Sequence, residues 1–167
     1  MTIRFRASAL LLSAALALSA CAQGGLRGDD VGFNGQGGAG SASDPTSIAF
    51  FTQSVGDRVL FSVDQSTLSI EAQSILTAQA QWLLTNTEYR VLIEGHADEQ
   101  GTREYNLALG ARRASAVRDF LVSQGVPDSR LSTVSYGKER PIEICSNEAC
   151  YAQNRRAVTV VSFGAGV

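Results

Sequence analysis

Between Arg58 and Phe163 the apolar positions change period several times, and each change marks an element. Val59, Phe61 and Val63 alternate with polar neighbours, which predicts a first strand over Arg58 to Val63 that Asp64, Gln65, Ser66 and Thr67 then break. Ala72, Ile75, Leu76, Gln79, Trp82 and Leu83 recur at helical spacing, predicting a helix from about Ser69 to Asn86. Arg90 to Gly95 reads as a second strand, and His96 to Thr102 as a polar loop. A second helix follows from about Arg103 to Gln124, its core face assigned to Leu107, Ala111, Ala114 and Leu121. Gly125 is placed to end that helix, with Pro127 just beyond. Leu131 to Tyr136 is a third strand. A loop carrying Pro141 and two cysteines, with room for one helical turn, leads to a last strand over Ala157 to Phe163. The order β-α-β-α-β-β predicts an α+β two-layer sandwich, a small mixed sheet with both helices on one face.

The first 47 residues follow a different rule. Arg4 and Arg6 precede an almost unbroken apolar run from Ala7 to Ala17, which has no polar face to make it an amphipathic helix. It is too short to span a bilayer, which takes about 20 residues, and fits a secretory signal over residues 1–20. Leu18-Ser19-Ala20-Cys21 resembles the lipobox of bacterial lipoproteins, which implies acylation of Cys21 and attachment to membrane lipid. Ala22, in place of an aspartate, favours the outer membrane, with the rest of the chain in the periplasm. From Ala22 to Ser47 glycines sit among Ser, Asp, Asn and Gln, with Val31 and Phe33 nearly alone as large apolar residues. Such a segment cannot offset its ordering entropy, so residues 21–47 are expected to be a lipidated tether and residues 48–167 the folded domain.

Export sets the charge and the redox setting. Removing the signal leaves 12 basic against 16 acidic residues, which gives no basic surface and argues against nucleic acid as a partner. With Cys21 acylated, Cys145 and Cys150 remain as an even pair in an oxidising compartment, and the expected disulfide closes a short loop for about 2 kcal/mol. A thiol nucleophile or metal site at these cysteines would need histidine support, and His96 is the one histidine in the chain. Catalysis by His96 with Asp98 and Glu94 fails for the same reason, since a zinc site needs three or four ligands. Neither a metal nor a cofactor is expected, and the chain does not read as an enzyme.

The candidate chemistry lies in Glu94 to Gly101 and in the helix after it. Asn106, Leu109, Arg113 and Val117 form one stripe beside the assigned core face, and Arg113 points along it toward the helix N-terminus. Asp98 stands just before that end. The two can converge on a pocket that takes a zwitterion, Asp98 accepting from an ammonium and Arg113 gripping a carboxylate. They can equally pair with each other as a structural salt bridge. Arg155-Arg156 divides the same way, between an extra contact near the pocket and ties from the last strand to neighbouring carboxylates; alternation sends the two to opposite faces and favours the ties.

The stretch EGHADEQGTREYNLALGARRASAVRDFL, Glu94 to Leu121, closely resembles the OmpA-like peptidoglycan-binding family. Ser135-Tyr136-Gly137-Lys138-Glu139-Arg140-Pro141 and Gln153-Asn154-Arg155-Arg156-Ala157-Val158 extend the resemblance, which covers about Phe61 to Val161. It implies the OmpA-like fold and non-covalent binding of peptidoglycan through the meso-diaminopimelate of its stem peptides. Asp98 and Arg113 occupy the family's binding positions, with Asn106, Leu109, Phe61 and Asp64 beside them. Ser66 stands where the family usually has tyrosine, and cysteine is unusual at 145 and 150. For a lipoprotein of this family the resemblance also implies the Tol system, with TolB as partner, and a role in envelope integrity and in drawing the outer membrane inward at division.

Overall fold

In the computed structural model the described residues are 40–144 and 146–164. The signal segment, Cys21, most of the 21–47 segment and Cys145 lie outside the described residues. The sheet is organised around β2 (Tyr89–His96), where Tyr89, Val91 and Ile93 are buried while Arg90 between them is exposed. Such alternation leaves one face for a core. β2 pairs in parallel with β3 (Leu131–Gly137) and antiparallel with β4 (Arg156–Phe163), and β4 pairs antiparallel with β1 (Arg58–Leu60). The order is therefore β1-β4-β2-β3, a four-stranded mixed sheet. Helices α2 (Ile70–Thr85) and α3 (Arg103–Ser123) send Ala72, Leu76, Leu83, Ala114, Val117 and Leu121 into one core with Val59, Ile93, Ala157 and Val161.

Local chemistry fixes the ends of both helices. Ser69 caps α2 by accepting from the Ala72 amide, and Thr102 caps α3 by accepting from Tyr105. α3 stops at Gly125, which has φ +99°. There the Val126 amide donates to Leu121 O and the Gly125 amide to Val122 O, satisfying carbonyls the helix leaves open. Val126 is itself buried.

Four departures from the sequence pattern matter. The β1 strand ends at Leu60, because Ser62 and Gln65 turn their carbonyls toward α3, and Val63 is 54% exposed where alternation had placed it in the core. Leu107 is only half-buried and Ala111 is exposed; the inward stripe of α3 is Asn106, Gly110, Arg113, Val117 and Leu121. That stripe includes two polar side chains that distant carbonyls satisfy. A short α1 (Ile48–Phe50) runs into a π-helical turn, Phe51–Gly56, with Phe51 fully buried. Trp82 Nε1 donates to Pro45 O at 2.7 Å and the Tyr89 hydroxyl to Thr46 O at 2.8 Å, so the packed region starts a few residues before Ile48. Finally, α4 (Glu148–Asn154) is a seven-residue helix where one turn was expected.

The α3 helix packs closely on the sheet at Gly95 and Gly110. A Cβ on Gly95 would lie 1.8 Å from Gly110 O, and one on Gly110 would lie 2.4 Å from the Ser135 hydroxyl. Gly95→Ala meets backbone that cannot rotate away, so it is expected to cost about 3 kcal/mol, read as a lower urea midpoint at unchanged m. A midpoint equal to the parent's would mean that this contact does not set the height of α3.

Candidate ligand-binding cleft

At the end of β2 the loop from Ala97 to Thr102 and the first turns of α3 face the 62–65 loop, and the space between them is an open cleft of about 260 Å³. Asp64, Asp98, Tyr105, Asn106 and Leu109 line it. Asp64 has φ +55°, a left-handed conformation that aspartate tolerates, and its carboxylate accepts from the Tyr105 hydroxyl across the cleft mouth. That bond is the first cause of a raised Tyr105 pKa. Asn106, a nearly buried part of the lining, donates to Gln100 O at 2.8 Å and so braces the loop that carries Asp98.

Asp98 is 8% exposed. Its Oδ1 accepts from the Gln100 amide at 3.1 Å, and its Oδ2 accepts from Arg155 Nη1 at 3.1 Å. Arg113 is not its partner, so the mutual salt bridge that the spacing allowed does not form. Arg113 is the largest fully buried side chain among the described residues. Its Nε donates to Gln65 O at 2.8 Å, Nη1 to His96 O at 2.8 Å and Nη2 to Ser62 O at 3.1 Å. The guanidinium lies 5.1 Å from the centre of the Phe61 ring. Burial pushes its pKa down to about 10, against the pull of the nearby Asp98 charge, so it remains a cation at neutral pH.

The sequence-derived residues thus fall into two layers. Asp64, Asp98, Asn106 and Leu109 form the cleft wall, whereas Arg113 and Phe61 stand behind it. Cys21 and Cys145 lie outside the described residues, and Cys150 on α4 is disulfide-bonded. Two contributors were not singled out as site residues. Tyr105 precedes Asn106 on α3, and no periodicity marks it as facing the cleft. Arg155 does tie to carboxylates, as alternation suggested, but one of them is Asp98.

The His96 ring faces away from this cleft. Its centre is 5.6 Å from that of Tyr136, and neither ring nitrogen makes a hydrogen bond, although Glu94 Oε2 stands 3.5 Å from Nε2. Burial first, then Arg156 and Arg140, lowers its pKa to about 4 and outweighs that carboxylate. His96 and Asp98 are therefore not assembled as an acid–base pair. Among the described residues, no group of three or more His, Cys, Asp or Glu is placed to hold a metal ion.

Residues 60–156 match the model of the OmpA family. The chain is 54% identical over 158 residues to a peptidoglycan-associated lipoprotein of Agrobacterium fabrum, covering 95% of this chain and 88% of that relative. It is 42% identical over 162 residues to the protein of that name in Pseudomonas aeruginosa, covering 92% and 93%. The crystal structure of the peptidoglycan-associated lipoprotein from Burkholderia pseudomallei superposes with a TM-score of 0.66 at 40% identity, over 71% of this chain and all of that one. The C-terminal domain of Helicobacter pylori MotB shares the fold, with a TM-score of 0.61 at 22% identity, over 65% of this chain and 86% of that one. With its four-stranded mixed sheet, its two covering helices and these matches along most of its length, the chain belongs to the OmpA family and, within it, to the peptidoglycan-associated lipoproteins.

Proposed function

We propose that the cleft binds peptidoglycan non-covalently by taking the amino-acid end of meso-diaminopimelate in its stem peptides. The observation that carries this reading is the position of Asp98, a carboxylate at an open cleft with a second carboxylate, Asp64, on the facing wall. An entering ammonium finds two anions there, and each oxygen of Asp98 has a lone pair left over from its single protein bond. The carboxylate on the same carbon faces the first turn of α3, whose leading amides have no partner within the helix. Arg113 supports that end from behind. It keeps the loop in place through three carbonyls, retains two N–H groups beyond those bonds, and adds positive potential. Leu109 offers an apolar wall to the ligand's methylenes.

The wider role follows from the same family. Its named relatives are peptidoglycan-associated lipoproteins, a structural rather than an enzymatic group, which supports holding the wall over cutting it. Leu18-Ser19-Ala20-Cys21 supports acylation of Cys21 and an outer-membrane anchor with the domain in the periplasm. Cys145 is assigned as the partner of Cys150. TolB and the other Tol proteins are assigned as partners, and the link between membrane and wall as a contribution to envelope integrity and to invagination at division.

Asp98→Asn keeps the shape of the side chain and removes its charge. It is expected to weaken co-sedimentation with purified wall about 30-fold, the effect of losing one charged hydrogen bond worth about 2 kcal/mol. Wall whose stems carry lysine in place of diaminopimelate, and so lack the side-chain carboxylate, should fail to pellet the parent protein. Equal pelleting by the two walls would remove diaminopimelate from the assignment, and parent-like pelleting of Asp98→Asn would remove the cleft.

A further inference from the structure

Arg155 is 4% exposed and its guanidinium serves three acceptors. Nε donates to Phe61 O at 3.2 Å, Nη1 to Asp98 Oδ2 at 3.1 Å, and the same fork to Glu148, with Nη1 at 3.4 Å from Oε2 and Nη2 on Oε1. Glu148 stands in the first turn of α4 with its side chain 65% exposed, while that of Asp98 is 11% exposed. The result is a carboxylate–guanidinium–carboxylate chain that runs from the α4 surface to the cleft wall.

A carboxylate facing one guanidinium alone is largely neutralised, and a neutralised Asp98 would hold an ammonium poorly. The second carboxylate changes that balance. With Glu148 sharing the fork, the three groups carry a formal charge of −1, and Arg155 reaches Asp98 through a single nitrogen. That one bond, with the Gln100 amide on the other oxygen, fixes the Asp98 carboxylate plane. The α4 region also reaches the same loop at its next residue, where Glu99 Oε1 accepts from the Tyr151 hydroxyl at 2.9 Å and from the Ser146 hydroxyl at 3.2 Å.

We infer that Glu148 is a positioning residue for the cleft: by drawing Arg155 to itself it leaves Asp98 oriented but still anionic toward a ligand amine. This rests on reading the cleft as an amine-binding site, and it makes α4 part of the binding apparatus although no residue of that helix lines the cleft. Glu148 acts only through Arg155.

The test compares Glu148→Gln, which keeps length and hydrogen-bonding capacity without charge, with Glu148→Asp, which keeps charge on a shorter side chain. Each is titrated calorimetrically with a soluble stem peptide that contains diaminopimelate. Glu148 is exposed, so both variants should melt within a few degrees of the parent. Glu148→Gln is expected to raise Kd roughly three- to fivefold, while Glu148→Asp stays within about twofold of the parent. A purely structural role of Glu148 in seating α4 gives the reverse order, because glutamine is the better shape match. Parent-like affinity of Glu148→Gln, or weaker binding by the aspartate variant than by the glutamine one, overturns the inference. Asp98→Asn in the same series separates the two claims. If it binds like the parent, the cleft assignment itself fails; if it loses binding while Glu148→Gln does not, only the role of Glu148 fails.

Discussion

Arg113→Ala is expected to remove about 4 kcal/mol of stability and to lower Tm by roughly 15–25 °C. The substitution takes a donor from the carbonyls of Ser62, Gln65 and His96; Ser62 O keeps the Gln65 amide, whereas the buried His96 bond is lost, and an unsatisfied buried acceptor costs about 1–3 kcal/mol. It also empties the largest fully buried side-chain volume among the described residues and takes the cation from the Phe61 ring. Against these stands the relief of removing a buried charge, visible in the lowered pKa of the guanidinium, which keeps the net cost below the sum of its parts. Domains of this size have about 5–15 kcal/mol in total, so the variant should be marginal at 37 °C. Thermal and urea denaturation followed by circular dichroism measure this directly. A melt within about 1 kcal/mol of the parent would show that the 62–65 loop does not depend on this arginine. The same reasoning governs any binding experiment: loss of wall binding in Arg113→Ala mixes a lost charge with a lost loop. Asp98→Asn, which touches no backbone carbonyl, is the cleaner probe.

Much of this fold can be read along the chain because most of its elements are locally determined. The α2 helix has its cap in Ser69 and its buried positions spaced by three and four from Ala72 to Leu83, so its limits lie within one residue of those the pattern predicts. β2 and the start of α3 at Thr102 follow in the same way. What escapes is the burial of polar residues by partners far along the chain. Arg113 receives acceptors from 48 and 51 residues upstream, and Asp98 receives Arg155 from 57 residues downstream. A helical wheel that counts only apolar residues therefore rotates the core face of α3 toward Leu107 and Ala111, away from Asn106 and Arg113. The same limit applies to the site. Asp98 and Arg113 are recognisable as charges at one helix end, but whether they pair, face each other or stand one behind the other depends on where the 62–65 loop folds back. Here that loop takes the fork of Arg113, and the cleft is left with its carboxylates outermost. An ammonium can be met at the surface. A carboxylate has to be recognised by amides and by charge at a distance.

His96 should make the domain sensitive to mild acid, with the loss beginning well above the range in which carboxylates titrate. Its ring is 1% exposed, has no hydrogen bond at either nitrogen, and faces Arg140 and Arg156 as well as Glu94. The folded-state pKa of about 4 lies below the value of 6.5 for a free imidazole. Above pH 6.5 the ring is neutral in both states and the fold has its full stability. Between 6.5 and about 4 the unfolded chain takes up a proton that the folded one refuses, so stability falls as pH falls, by about 3 kcal/mol at the lower end. Below pH 4 both states are protonated and this contribution stops changing. Urea midpoints measured every half pH unit from 7.5 to 4 would trace the decline. The exposed acids whose pKa is lowered, Asp44 and Glu71, start from 3.8 and 4.5, so the interval between 6.5 and 5 belongs to the histidine. His96→Phe retains the ring's volume beside Tyr136 and removes the titrating group, so its midpoint should be nearly flat across that interval. A parent protein equally flat there would mean that the imidazole takes up its proton inside the fold, held by Glu94 or by water, and a phenylalanine variant with the same decline would assign the loss to another group.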